Sequence, residues 1–402
     1  MKAAIEDSNS FAGVTLAQAV ANARALIPRL RERAPRQEAA RSLLPETLSD
    51  LQQHGLFRFL QPKRYGGMEL DFIALIDITT ELAKGCASTA WNVGNLAIHN
   101  WYLCQFDPRA QDHVWGADSN ALIAGGIAYP QGRATRVEGG YQISGHWNFS
   151  SGVDPSEFNQ LAVTVRDGDN IIGYRMCVLH KSQYQIVDDW HVLGMRGTGS
   201  KSVKATDVFV PEHLALDTTL VRGGLDFPGA AANPNPMYRI GLTTMGTHCL
   251  VGAALGNAAG ALELTIESVK ARSTNYTGQK MRDFQAIQLR VATAGAQIDA
   301  ATLLARDDVL VAQQAAVEGR MLSDEHKLRI KRNVAYCVQL CTQAVDSLHG
   351  LAGANGIYDN YPIQRMFRDA HALAGHFGFA FDMHGATWGV VAMGGEYVNP
   401  LL

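Results

Sequence analysis

The spacing of apolar positions changes period twice along the 402-residue chain. Near the N-terminus it is helical: Leu16, Val20, Ala23 and Ile27 recur at steps of four, three and four, and Leu44, Leu48 and Leu51 repeat the pattern. From Ala121 to about Leu214 the apolar runs shorten. Gly139 and Gly140 separate two extended stretches, and further strands are expected at 161–165, 171–179 and 202–210, the last stopping at Pro211. A loop rich in Gly, Pro and Asn at 223–236 marks a boundary. Beyond it long helical periods return, in Ile287, Val291, Ala294, Ile298 and Ala301, and in Val334, Val338, Cys341, Val345 and Leu348. Ser323, followed by Asp324 and Glu325, predicts a helix start with acids in its first turn. The pattern is that of a mainly α protein with a β insert: an N-terminal helical domain over 1–120, a middle β domain over 121–225, and a C-terminal bundle of about four antiparallel helices over 226–402.

Composition narrows the function. With 47% apolar residues the chain can bury more than one core, and a net charge of -3 gives no reason to expect nucleic acid or an anionic membrane as partner. The expected partner is a small molecule. Six scattered cysteines without a CxxC pair fit reduced thiols in the cytoplasm, and no metal site is expected. The start, MKAAIEDSNS, lacks a basic segment leading into an apolar one, and no run is expected to reach the ~18 apolar residues of a membrane span.

Four segments carry chemistry. Pro62-Lys-Arg-Tyr65-Gly66-Gly67 is a turn. Gly139-Gly140 opens a strand pair running through Trp147 to Ser151-Gly152. Trp190 to Ser200 holds Gly194-Met195-Arg196-Gly197-Thr198-Gly199, in which glycines let backbone approach a flat ring or phosphate and Arg196 and Thr198 supply donors. The fourth segment, Gly353 to His371, includes Asn360, Pro362 and Arg368-Asp369-Ala370.

Together these segments resemble the acyl-CoA dehydrogenase superfamily over most of the chain. The resemblance implies an N-terminal helical domain, a middle β-barrel-like domain and a C-terminal four-helix bundle around a flavin. Many acyl-CoA dehydrogenases carry a glutamate base just before the Tyr-Pro step; here Asn360 stands there, and an amide cannot serve as that base. In Ala87-Ser-Thr-Ala-Trp91 with His99, and in His376, the chain is instead similar to the oxygenase components of two-component flavin-dependent aromatic monooxygenases, such as the 4-hydroxyphenylacetate hydroxylases.

That resemblance implies reduced FMN or FAD supplied by a separate reductase, O2 as co-substrate, and a C4a-hydroperoxide that hydroxylates a phenol- or indole-type ring. It implies His376 as base for a phenol, Ser151 as partner of flavin N5, and His99 in the substrate pocket with Trp101, Gly126 and Phe379. Trp147, Ser151, Arg196, Gly197, Thr198 and Arg239 would face the cofactor, and Arg272 and Arg290 would reach a neighbour's flavin in a homotetramer. Trp147 reads equally well as strand core. The stretch Ala124-Gly125-Gly126-Ile127, where the hydroxyphenylacetate enzymes place a substrate-binding serine, offers no hydroxyl and suggests a larger or less polar ring. An acyl-CoA dehydrogenase with an unusual base, and an N-oxygenase on the same scaffold, are the alternatives.

Overall fold

The computed structural model describes residues 10–221, 226–275 and 277–397, so the first nine residues and part of the expected boundary loop lie outside the described residues. Helix α1 (Leu16–Ala40) opens with a capping box, Thr15 accepting from the Gln18 N–H while the Gln18 side chain accepts from the Thr15 N–H. It turns Ala19, Ala23, Leu26 and Leu30 inward. Helices α2 (Pro45–Gln53), α3 (Ala74–Ala83), α4 (Ala87–Leu103) and α5 (Pro108–Trp115) complete the first layer. Almost every residue of α4 is buried, because it lies between α3 and the sheet and is also covered by the bundle.

Eight strands follow: β1 (Ile123–Gly126), β2 (Gly132–Val137), β3 (Gly140–Ser150), β4 (Phe158–Asp167), β5 (Asn170–His180), β6 (Gln185–Val187), β7 (Lys201–Pro211) and β8 (Ala215–Asp217). Their order is β6-β7-β3-β2-β4-β5-β8, with β1 and β2 sharing one edge of β4. The barrel-like expectation is therefore corrected. The sheet is open, since its end strands β6 and β8 are three residues each and pair only inward; closure would require them to pair with one another. Short end strands also leave little unpaired backbone for another chain.

The chain then enters the short helix α6 (Leu242–Met245) and five longer ones, α7 (His248–Ala271), α8 (Gln285–Val317), α9 (Asp324–Gly350), α10 (Pro362–Ala374) and α11 (Phe381–Ala392). Four were expected; the pause at Gly375 to Ala380 cuts the last segment into two short helices that both pack on α9. Ser323 caps α9 by accepting the His326 N–H, as its sequence predicts. The expectation of no membrane-length run also needs correction: α7 is long and apolar enough by composition, but 72% of its most apolar window is buried inside the protein. All six cysteines are free and buried.

Candidate active site

The third and fourth sequence segments meet through a clasp. Buried Asp369 on α10 accepts the Met195 N–H at 2.6 Å, and Arg368 reaches both the Leu193 carbonyl, at 2.9 Å, and Glu38 of α1. Gly194 lies so close to the Arg368 carbonyl that a Cβ there would collide with it. The clasp ties the 193–200 loop to α10, which Arg368 in turn anchors to α1.

On that loop begins a chain of buried hydroxyls. Thr198 Oγ1 donates to the Met195 carbonyl at 2.9 Å and lies 2.7 Å from Ser200 Oγ, which lies 2.7 Å from Ser151 Oγ. Trp91 on α4 donates its indole N–H to Ser151 Oγ at 3.0 Å, and Asn95, one turn on, donates to the Ser151 carbonyl at 3.2 Å. Trp91 also meets the edge of His376, ring centroids 5.7 Å apart, and of Phe379, at 6.4 Å. Thus Ser151, Thr198, His376 and Phe379 converge on Trp91, which belongs to the segment that carried the resemblance yet was not itself singled out.

His376 sits in the break between α10 and α11. Its Nδ1 accepts the Gly378 N–H at 3.2 Å, so the ring's single proton is on Nε2, and burial pushes the imidazole down to about 4. His99 lies two turns beyond Trp91 on α4. Burial likewise pushes it down to about 4, its Nδ1 has no partner, and its Nε2 lies against Gly125, where a Cβ would collide with the ring. Asn92, on the same side of α4, is fully buried with neither its Oδ1 nor its Nδ2 paired.

Several expected residues stand elsewhere. Trp147 is completely buried within the sheet, its N–H donating to the Ala162 carbonyl at 2.7 Å and its side chain packed over Gly126, Gly132 and Gly145. Phe149, two residues on, is 68% exposed and adopts φ +64, a conformation rare for a bulky residue. Its ring lies edge-on to Trp190 at 6.0 Å. Arg196 is exposed and pinned by its Nε–H to the Val192 carbonyl at 2.7 Å, while Gly197 is buried and its carbonyl accepts from Gln37. Trp101 is buried against Phe72 and donates to the Met237 carbonyl. Met237 in turn borders an open cleft of about 490 Å³ near the end of α8, lined also by Asp71, Gln313 and Arg320. Arg239 lines a smaller cavity with Ala312, Arg320 and Lys327. Neither cavity includes Ser151 or His376. Among the described residues no group of three potential metal ligands occurs.

Comparison with known proteins decides the family. Residues 16–115 match the acyl-CoA dehydrogenase N-terminal domain and 248–381 the acyl-CoA dehydrogenase C-terminal domain. The chain is 33% identical to the oxygenase subunit HsaA of a flavin-dependent monooxygenase from Rhodococcus jostii, over 87% of this chain and 91% of that one. It belongs to the oxygenase components of flavin-dependent aromatic monooxygenases.

This oxygenase is also 33% identical to the oxygenase component of an FADH2-dependent resorcinol hydroxylase from Rhizobium, over 91% of each chain. The solved structure of XiaF from Streptomyces, in complex with FADH2 and glycerol, superposes with a TM-score of 0.89 at 26% identity, covering 96% of this chain and 99% of XiaF. The residues present fit a flavin. Buried polar atoms of Asn92 and His99 lack partners, Trp91 joins Ser151 to the rings of His376 and Phe379, and Phe149, two residues before Ser151, holds an exposed ring on a strained backbone. Sequence reasoning missed Asn92, Phe149 and Ser200. A buried, unpaired asparagine leaves no trace in a sequence, but the hydroxyls of Thr198 and Ser200, two apart in a glycine-rich loop, were there to be read.

Proposed function

We propose that this oxygenase hydroxylates a phenol- or indole-type ring with reduced FMN or FAD delivered by a separate reductase, in the space bounded by Trp91, Ser151, His99 and His376. Reduced flavin, when bound, supplies the two electrons that activate O2, one oxygen atom entering the ring and the other leaving as water. The carrying observation is the meeting of Ser151, His376 and Phe379 around the single indole of Trp91.

Each side chain then has a task. Ser151 hydrogen-bonds the flavin at N5, Phe149 offers an apolar wall, and Thr198 stands behind Ser151 on the loop. His376 is the base for a phenolic substrate. Its free lone pair is on Nδ1 and is held by the Gly378 N–H, so that contact, worth about 1 kcal/mol, opens as the proton arrives. The depressed basicity of a buried imidazole means the proton moves only while charge leaves the phenol oxygen during attack. His99 and Asn92 hold the substrate's polar edge. The glycines at 125 and 126 leave room for a fused ring, and Phe379 closes the apolar side, excluding water.

A homotetramer fits the surface: α11 is apolar yet buries none of its residues within one chain, and Leu289, Leu303, Leu310 and Val317 lie exposed along α8. Arg272, which within the chain donates to the Leu351 carbonyl at 3.4 Å, and Arg290 beside Gly350 would serve the neighbouring flavin there. The test of the activity supplies chemically reduced FMN or FAD, 18O2 and a panel of phenols and indoles. One labelled oxygen in a ring product supports the reading. Reduction of bound FAD by an acyl-CoA thioester, without oxygenated product, overturns it.

A further inference from the structure

We infer that Thr198 and Ser200 are positioning residues: their hydroxyl chain fixes Ser151 as a hydrogen-bond acceptor toward the flavin and so sets how strongly the site prefers the reduced cofactor over the oxidised one. The inference rests on the proposed reading that Ser151 meets flavin N5.

Each hydroxyl in the chain carries a single proton. A carbonyl oxygen only accepts, so the proton of Thr198 lies on its 2.9 Å contact with the Met195 carbonyl. The 2.7 Å contact between Thr198 and Ser200 must then hold the proton of Ser200. That leaves only Ser151 to supply the proton in its own 2.7 Å contact with Ser200. Any other assignment sets two oxygen lone pairs against each other at hydrogen-bond distance with no proton between them. The indole N–H of Trp91 only donates, and it fills one lone pair of Ser151. One lone pair and no proton remain on Ser151 Oγ. All four side chains are buried, so water does not exchange into these bonds.

N5 of an oxidised isoalloxazine is an acceptor, whereas in the reduced ring N5–H is a donor. An acceptor-only Ser151 pairs with the second and faces the first lone pair to lone pair. Ser200 and Thr198 are thus positioning residues that act through Ser151 without touching the cofactor.

The test is anaerobic titration of the full-length chain with oxidised and with photoreduced FMN, and in parallel FAD, following flavin absorbance and fluorescence. Wild type binds the reduced form more tightly. Ser200→Ala removes the acceptor of the Ser151 proton, which can then turn to a bare N5, and the ratio of oxidised to reduced dissociation constants drops about tenfold. For a two-electron couple this lowers the potential of the bound flavin by about 30 mV. Thr198→Val frees the Ser200 proton and shifts the ratio the same way by less, which keeps the test alive should Ser200→Ala fail to fold. Folded Ser200→Ala or Thr198→Val proteins with the wild-type ratio, or a wild type without preference, overturn the inference alone. A wild type that binds neither redox form overturns the flavin reading beneath it.

Discussion

The two walls of the site treat buried polarity in opposite ways. On the loop side the hydroxyls of Ser151, Ser200 and Thr198 are bonded in series and end on a carbonyl. On the α4 side Asn92 has both polar atoms unpaired and His99 has one, though these residues are buried as deeply. An unpaired buried polar group costs about 1–3 kcal/mol. A satisfied chain gains rigidity and can only orient what it touches. An unsatisfied helix face carries a standing cost that a ligand can remove, so the proposed reading gives cofactor orientation to one wall and substrate capture to the other. The way to break this division is to alter each wall and see which property follows.

The largest effect is expected from Gly125→Ala. The added methyl meets His99 Nε2 and forces the ring out of its place on α4, while β1 keeps its pairing with β4. Displacement of a positioning group by about 1 Å costs on the order of 100-fold in turnover. Steady-state hydroxylation of a phenol checks this, and a loss smaller than threefold would remove His99 from the substrate wall.

Asn92→Leu separates stability from activity. Replacing a buried amide without partners by an apolar side chain of similar size is expected to raise stability by about 1 kcal/mol and the Tm by roughly 2 °C. Turnover should fall by about tenfold as the substrate's polar edge loses its partner. Thermal unfolding beside product assays reads both. A destabilised variant of full activity would mark Asn92 as a structural residue.

A smaller effect sharpens the contrast between Trp147 and Phe149. Trp147→Phe leaves the Ala162 carbonyl short of a donor and opens space over three glycines, and should cost about 2 kcal/mol by urea unfolding. Phe149→Ala should leave stability within about 0.5 kcal/mol, since the ring is mostly exposed, and weaken flavin binding about threefold. An exchange of these outcomes would return the cofactor to Trp147.

This pair also shows where the sequence stops being readable. The change of period from helix to strand and back, the Ser323 cap and the Gly139-Gly140 turn all rest on local chemistry and were legible. So was the convergence of Ser151, Thr198, His376 and Phe379, through resemblance in motif. Alternation along β3 places residues 147 and 149 on one face, yet a bulge intervenes. Trp147 pairs with Val203 and Ser150 with Lys201, three steps against two, and Phe149 swings outward at positive φ. Nothing in His-Trp-Asn-Phe-Ser-Ser announces that extra residue. The open sheet was equally hidden, because closure depends on which distant strands pair and not on any one strand's pattern. Trp101, beside His99, and Arg239 were expected at the site from the resemblance, whereas their segments face the end of α8.

The finest test of the comparison is the pH dependence of stability. Burial holds His99 and His376 at about 4, against 6.5 for the ordinary imidazole, so between those values the unfolded chain binds more protons than the folded one. Their contribution is fully present above pH 6.5 and is lost as pH falls through about 4. Asp369 runs the other way: burial raises its carboxyl from 3.8 to about 6, so its contribution is present below pH 3.8 and lost as pH rises through about 6. Two groups against one make the urea midpoint fall from pH 6.5 toward 4.5, each proton carrying at most about 1.4 kcal/mol per pH unit. His99→Gln keeps a buried polar group without a titration, and should flatten the fall noticeably. Asp369→Asn should steepen it, because the opposing group is gone. If both variants follow the wild-type curve, these groups titrate alike in the folded and unfolded chain, and the buried α4 wall is open to water after all.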